Sequence, residues 1–390
     1  MRRAFHNAND TDAGVKIKSI EPVAVSLPMK KAVTMAAETV TRADNVLVRV
    51  ESDSGFVGWG EAASAPTMTG ETVASMMAAI SRMTPALLGS AADDFAGASA
   101  VMDGRMYGNT GAKAAIEIGL HDLVALAAGR PLHALLGDKV RTRMPVLAVI
   151  GSTDEAADLR EARERFDAGY RAFKIKVGLG SPEADGARTR AVCQMLKTAG
   201  ENCLVSADAN QGFGVDEAVR FTAEVGDAGL DFFEQPVHAH DLAGMARVAA
   251  ASRIPIGADE GIHSLDDIER HHERKAAAGI SLKAIKLGGL RALLDGCRLC
   301  GRLGMKVNIS CKTGESSVAS AAALHLAAVA PDLAWGLTLT NSGLAEDVTA
   351  EPLRIERGYV EVPERPGLGI VVDEQSVRRS QQEFATRKVA

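Results

Sequence analysis

The sequence predicts an α/β protein, a (β/α)7-8 TIM-like barrel behind an N-terminal α+β capping domain. Three observations point there. From Met144 onward, short runs rich in β-branched residues end about 25 to 32 residues apart, the length of one strand, one helix and two loops. The region before them carries its strands first and its helices afterwards, the order of an α+β unit. Seven or eight such repeats in about 200 residues favour a barrel over a doubly wound sheet.

In chain order, residues 1–15 read as a polar extension without periodicity, and the capping domain is expected over 16–135. Ile17–Leu27 alternates apolar and polar positions, and Asn45–Gly60 reads as two strands around a Ser52-Asp53-Ser54-Gly55 turn. From about residue 71 to 135, Ala, Met and Leu recur at helical spacing, most clearly over Gly111–Ala128. The barrel is expected over 136–345, with strands in Pro145–Ile150, Ala172–Val177, Leu204–Asp208, Leu230–Glu234, Ile254–Asp259, Ser281–Lys286, Lys306–Ser310 and Leu333–Thr338. The period then stops. Residues 346–390, with Tyr359–Ile370, are expected to return to the capping domain.

Apolar residues make up 46% of the chain and charged ones 24%, so a sizeable core is affordable and disorder is excluded. Forty-four basic against fifty acidic residues give a net charge of −6, which argues against nucleic acid or an anionic membrane as partner. The N-terminus lacks the apolar core of a secretory signal and no later window is long and apolar enough to span a bilayer, so a cytoplasmic protein is expected. The five scattered cysteines argue against a disulfide framework, and the lone Cys297-x-x-Cys300 reads as helix packing. His263, His271 and His272 fall in or before a charged helix and read as a solvated face. Gly178-Leu179-Gly180 lacks the third glycine of a dinucleotide loop. The small-residue run Ala62–Thr72 reads as a lid on the barrel mouth.

Function in such a barrel sits at the C-terminal ends of the strands. The second strand carries Lys174 and Lys176, whose i, i+2 spacing puts both on one face. The third ends in Asp208-Ala-Asn210, the fourth in Glu234-Gln-Pro, the fifth in Asp259-Glu260, and the sixth carries Lys283. Three carboxylates on successive strands can converge on one hard divalent cation. A cation bound to a substrate carboxylate answers the weak acidity of the neighbouring proton by stabilising the ene-diolate left when that proton is removed. The Lys174 ammonium is expected to disfavour the charged form of Lys176 and leave it able to accept the proton, with Lys283 reaching the other face of the substrate.

Lys174-Ile-Lys176, Asp208-Ala-Asn210, Glu234-Gln-Pro, Asp259-Glu260 and Lys283-Ala-Ile-Lys286-Leu-Gly-Gly resemble the enolase superfamily, in particular its muconate lactonising enzyme subgroup. The resemblance covers nearly the whole chain, since that family also has a capping domain before its barrel and a C-terminal return. It implies Mg2+ (Mn2+ as a substitute) held by Asp208, Glu234 and Asp259, with Lys176 and Lys283 as paired acid/base residues. It also implies that Lys283, the first lysine before the glycine pair, is the catalytic one rather than Lys286. Asn210 is expected to orient Asp208 or a water, and Glu260 to support Asp259 or Lys283. Lys312 and Glu315 lie in the seventh-strand segment, where a lysine suits a second anionic group or a carbonyl of the substrate. A small carboxylate as substrate and a homo-oligomer as assembly are expected.

Departures narrow the resemblance. Met305–Glu315 holds no histidine, unlike the mandelate racemase subgroup, and Trp335–Asn341 holds no acid, unlike the dipeptide epimerases and the muconate cycloisomerases. The expected reaction is racemisation or epimerisation of an N-modified or cyclic amino acid, with cycloisomerisation or dehydration as the alternative. A nicotinamide or flavin oxidoreductase would need a glycine fingerprint that is absent. A non-catalytic binding relative would be expected to have lost a ligand or a lysine, and all are present.

Overall fold

The computed structural model describes residues 15–35, 38–199 and 202–387, so the polar extension lies, but for Val15, outside the described residues. The chain opens with β1 (Ile17–Thr34), β2 (Thr39–Ser52) and β3 (Val57–Ala63), an antiparallel sheet in the order β1-β2-β3. Both faces of β2 are buried: Val46, Val48 and Val50 pack with the cap helices, whereas Leu47 joins the barrel core. Those helices are α1 (Val73–Leu87), capped by Thr72, α2 (Phe95–Arg105), α3 (Thr110–Ala127) and the single turn α4 (His133–Leu136). α3 presses so closely on β3 that a Cβ at Gly60 would stand 1.9 Å from the Ala115 carbonyl oxygen.

After β4 (Arg143–Pro145), eight parallel strands follow in unbroken order: β5 (Leu147–Ile150), β6 (Ala172–Lys176), β7 (Leu204–Asp208), β8 (Phe232–Glu234), β9 (Ile256–Ala258), β10 (Gly279–Leu282), β11 (Lys306–Ser310) and β12 (Leu337–Thr338). A parallel bridge between Val146 and Leu337 brings the two edges together. The intervening helices are α5 (Glu155–Asp167), α6 (Pro182–Thr198), α7 (Val215–Val225), α8 (Leu242–Ala251), α9 (Leu265–Glu273), the short α10 (Ala284–Leu287), α11 (Leu290–Leu303) and α12 (Ser317–Val329). Several strands are shorter than the runs read from the sequence, β12 beginning only at Leu337, and one run changes type: β10 stops at Leu282, and Ala284–Lys286, expected as strand, is helical. There the carbonyl of Lys283 accepts from the N–H groups of Lys286 and Leu287, which starts a turn instead of continuing the ladder. At the bottom of the barrel Trp335 stacks on Phe232 with ring centroids 4.1 Å apart.

Beyond the barrel, β13 (Tyr359–Glu361) pairs antiparallel with β4, and α13 (Glu374–Thr386) lies along β1. Arg387 Nη1 stands 2.7 Å from Asp44, and Asp122 of α3 accepts from the N–H groups of Trp59 and Leu368. Cys297 and Cys300 are buried in α11, and burial pushes the Cys300 thiol up to about 12, so both pack as apolar side chains. His271 departs from the expected solvated face. It is 3% exposed, and its Nδ1 bonds the Asp267 carbonyl, because α9 turns that side of the helix onto the barrel.

Candidate active site

The strand register brings the polar strand ends together: Lys176 is the ladder partner of Asp208, Asp208 of Glu234, and Glu234 of Gly257, two residues before Asp259. Alternation along β6 turns Lys174 and Lys176 toward the barrel interior. Lys174 Nζ donates to Glu234 Oε2 at 2.5 Å. Lys176 Nζ donates to Asp208 Oδ2 and Asn210 Oδ1, each at 2.6 Å. Lys283 Nζ donates to Asp259 Oδ2. The second and sixth strands are four positions apart in the order of eight, so Lys176 and Lys283 approach from opposite sides, with the three carboxylates on the strands between them.

The electrostatics follow from burial and pairing. Burial alone would raise Asp208, but the Lys176 and Lys174 ammoniums outweigh it and hold the carboxyl below its usual value. Asp259 is likewise held down, against burial, by Lys283 and Lys286. Glu234 goes the other way: burial raises it, Lys174 opposes, and the charges of Asp208 and Asp259 add to the rise. Burial, with Asp259 and Asp208 nearby, pushes Glu260 up to about 7. Lys174 and Lys283 are raised despite burial because carboxylates surround them, Glu234 and Asp208 for the first, Asp259 and Glu234 for the second.

Among the described residues no three His, Cys, Asp or Glu side chains already form a metal cage. The lysine ammoniums occupy the carboxylates instead. The donor set nevertheless fits a hard divalent cation, being three buried carboxylates on adjacent strands, and Glu234 Oε1 is buried without a hydrogen-bond partner. Glu260 Oε2 is orphaned in the same way, while its Oε1 accepts from Asn210 Nδ2 at 3.0 Å. Asn210 thereby links Lys176 to Glu260, and its backbone N–H donates to Asp208 Oδ1.

A cavity of about 650 Å³ opens over these groups, bordered by Lys174, Lys176, Asp208, Asn210, Glu234, Asp259, Glu260, Lys283 and Lys312. Glu315 does not border it. Its Oε2 accepts from the backbone N–H of Lys312, and burial, with Glu61 nearby, pushes its carboxyl up to about 7. Glu315 therefore positions Lys312 instead of meeting a ligand. Thr67 and Met68 of the expected lid line the mouth, but so do Met29–Met35 and Glu38 in the β1–β2 segment, which sequence reading passed over. Sequence reading also left without a role two residues of its motifs that lie beneath the site. Lys286, fully buried, donates to Asp259 Oδ1 at 2.6 Å and to the Ser281 carbonyl at 2.9 Å. Gln235 Oε1 accepts from the N–H groups of Asp259 and Gly261. The available signals were a lysine three residues past Lys283 and a second polar residue at the end of β8; for Glu38 there was none.

A barrel that gathers carboxylates between two lysines at the C-terminal ends of its strands has the layout of an acid/base enzyme. Residues 19–137 match the N-terminal domain of the mandelate racemase / muconate lactonizing enzyme family, and residues 157–376 match the enolase C-terminal domain-like family. The chain is 32% identical over 372 residues to chloromuconate cycloisomerase CbnB of Cupriavidus necator, covering 93% of this chain and 98% of that one. It is 34% identical over 362 residues to L-Ala-D/L-Glu epimerase of Clostridium acetobutylicum, covering 91% and 98%. Muconate lactonizing enzyme from Pseudomonas fluorescens, solved with muconolactone, superposes with a TM-score of 0.89 at 31% identity over 94% of this chain and 99% of that one. Dipeptide epimerase from Cytophaga hutchinsonii, solved with Mg and the dipeptide D-Ala-L-Val, gives 0.86 at 28% identity over 93% and 98%. The protein belongs to the enolase superfamily, in its muconate lactonizing enzyme subgroup, and is an enzyme. Among the described residues no helix is long and apolar enough to cross a membrane.

Proposed function

We propose that the enzyme removes the proton α to a carboxylate, giving an ene-diolate, with Mg2+ or Mn2+ held by Asp208, Glu234 and Asp259, and that it racemises or epimerises an N-modified or cyclic amino acid. The observation that carries this reading is the placement of Lys176 and Lys283 on opposite sides of the three carboxylates. A divalent cation there supplies positive charge to the substrate carboxylate as the α-proton leaves. The carboxylates of Asp208, Glu234 and Asp259 share the site with Lys174, Lys176, Lys283 and Lys286, and Glu260, pushed up to about 7 by burial, stands beside them. A bound divalent cation and one substrate carboxylate add a single net positive charge, which favours loss of a proton from one lysine Nζ. Lys174, held protonated by Glu234, keeps its charge beside Lys176 on the same face of β6. Lys176 then takes the proton from one face, Lys283 returns one from the other, and the cap loops exclude water from the reacting centre.

One observation favours a second reading. Asp259 and Glu234 hold the Lys283 ammonium firmly protonated, which suits charge stabilisation or donation to a leaving group, as in a cycloisomerase or a dehydratase of a hydroxy acid or hydroxyproline. Proton exchange separates the two. With Mg2+ in D2O and a panel of N-acyl amino acids, prolines, muconates and sugar acids, NMR reads loss of the α-proton signal. In a two-base racemase, Lys176→Ala and Lys283→Ala each abolish interconversion but leave exchange of opposite isomers. Exchange abolished for every isomer by one variant and barely altered by the other would rule the racemase out.

A further inference from the structure

Three neighbouring strands carry the metal-binding carboxylates, so whatever extends from the substrate carboxylate across the barrel meets the opposite side, formed by β11, β12 and β5. There the structure puts a cation. Lys312 follows β11, is 5% exposed and borders the cavity. Its main chain is pinned, since its N–H donates to Glu315 Oε2 at 2.9 Å and its carbonyl accepts from Thr340 Oγ1 at 2.7 Å. The ammonium at its tip pairs with Glu38 Oε1 at 2.8 Å, and Glu38 belongs to the cap. The eighth strand offers only Thr338, Leu339 and Thr340 to the cavity, and the one carboxylate contributed by α5, Glu161, stands 3.4 Å from Arg165. Among the described residues that border this side, a substrate ammonium would find no acid not already paired with a cation.

We infer that Lys312 is a specificity-determining residue that selects substrates carrying a second carboxylate distal to the reacting one, and that Glu38 holds its place until such a substrate displaces it. A nearly buried ammonium needs a counter-ion whether or not substrate is present, and a distal carboxylate makes the same contact that Glu38 makes. The exchange is like for like, so its net gain is moderate, whereas a neutral tail that displaced Glu38 would leave the ammonium unpaired. Lys30 adds to the positive character of the mouth, its Nζ spent on a neutral acceptor, the Ser342 carbonyl, at 2.9 Å. The inference rests on the proton-abstraction reading only in taking the reacting carboxylate to lie on the metal side.

Calorimetry of the Mg2+-loaded enzyme tests it with two matched pairs, N-succinylglycine against N-butanoylglycine and adipate against hexanoate. The wild type is expected to bind the dianion of at least one pair about tenfold more tightly than its monoanion. Lys312→Met should bring that pair within about twofold, and Glu38→Gln, which frees the ammonium, should widen the gap. Equal affinities within both pairs, failure of both dianions to bind, or a preference that survives Lys312→Met overturns the inference. If Lys312→Met does not fold, a Glu38→Gln protein with an unwidened gap does the same. α-Proton exchange of the glycine conjugates, read in parallel by NMR in D2O, keeps the two questions apart. A dianion preference without exchange leaves Lys312 standing and removes the proton-abstraction reading; exchange without the preference does the reverse.

Discussion

Replacing Glu117 by alanine tests how the cap supports the catalytic face. Glu117 lies in α3 at 2% exposure, and its carboxylate accepts from the backbone N–H groups of Leu290, at 2.7 Å, and Arg291, at 3.1 Å, where α11 begins. The chain comes this close through Gly289, at φ 144°, where a Cβ would stand 2.6 Å from Glu117 Cδ. The turn just before it carries Lys283 and Lys286. Alanine leaves two helix N–H groups without their acceptor and removes negative charge from the positive end of α11. Hydrogen bonds to a charged partner contribute about 1.5–3 kcal/mol each, so the expected loss of the two is about 3–6 kcal/mol. With an unfolding entropy of about 2.1 cal/mol/K per residue, a chain of this length unfolding as one unit would lose about 4–7 °C of Tm. Glutamine, which keeps one acceptor, should recover about half of that. Thermal and urea unfolding by circular dichroism, alongside α-proton exchange, provide the assay, and turnover should fall with stability because the Lys283 turn loosens. An alanine variant within about 1 °C of wild type and fully active would refute the reasoning.

Three more outcomes are expected. EDTA should abolish turnover and added Mg2+ or Mn2+ restore it, while Glu234→Gln keeps the fold and loses activity; full turnover in metal-free protein would contradict the metal site. Lys174→Met leaves Glu234, already raised by burial, without its ammonium, so protons should compete better with the cation and the Mg2+ needed for half-maximal rate should climb as pH falls, more steeply than in wild type. His325, against His133 at 3.2 Å, is lowered to about 4 by burial, so between its unfolded value and that pH the unfolded chain binds the extra proton. Its contribution, up to about 3 kcal/mol, is present above pH ~6.5 and lost as pH falls through 4, and His325→Gln should flatten the acid limb of a stability–pH profile.

Much of this site is legible because strand geometry is simple. Side chains alternate, so Lys174 and Lys176 had to share a face, and parallel strands had to present Asp208, Glu234 and Asp259 from one end. Eight strands stand where eight apolar runs were read, but their ends do not follow from the runs. Ser281–Lys286 is one apolar-and-lysine stretch in the sequence, yet Lys286 leaves the ladder, and its ammonium finds two oxygens of Asp259, 27 residues away, besides the Ser281 carbonyl. His271 looked solvated because its sequence neighbours are charged, while its burial depends on which side of α9 meets the barrel. Glu38 carries no local signal, since its partner Lys312 is 274 residues away.

The two candidate acid/base lysines are anchored by different parts of the molecule, and that difference has a consequence for how the cap and the chemistry are coupled. Lys176 is fixed from within the barrel: buried Arg188 of α6 donates to the Lys176 carbonyl at 2.8 Å and pairs with Asp158 and Asp185. Lys283 is fixed from the cap, through Glu117 at the start of α11. Glu61 of β3 repeats the device one helix further on, accepting from the N–H groups of Ser316, at 2.9 Å, and Ala319, at 3.0 Å, where α12 follows the Lys312 segment. Two cap carboxylates therefore seat on the positive ends of the two helices that follow the sixth and seventh strands. A shift of the cap relative to the barrel is transmitted to Lys283 and Lys312 but hardly to Lys176, so substitutions at this junction should impair proton transfer on the Lys283 face while sparing exchange on the Lys176 face.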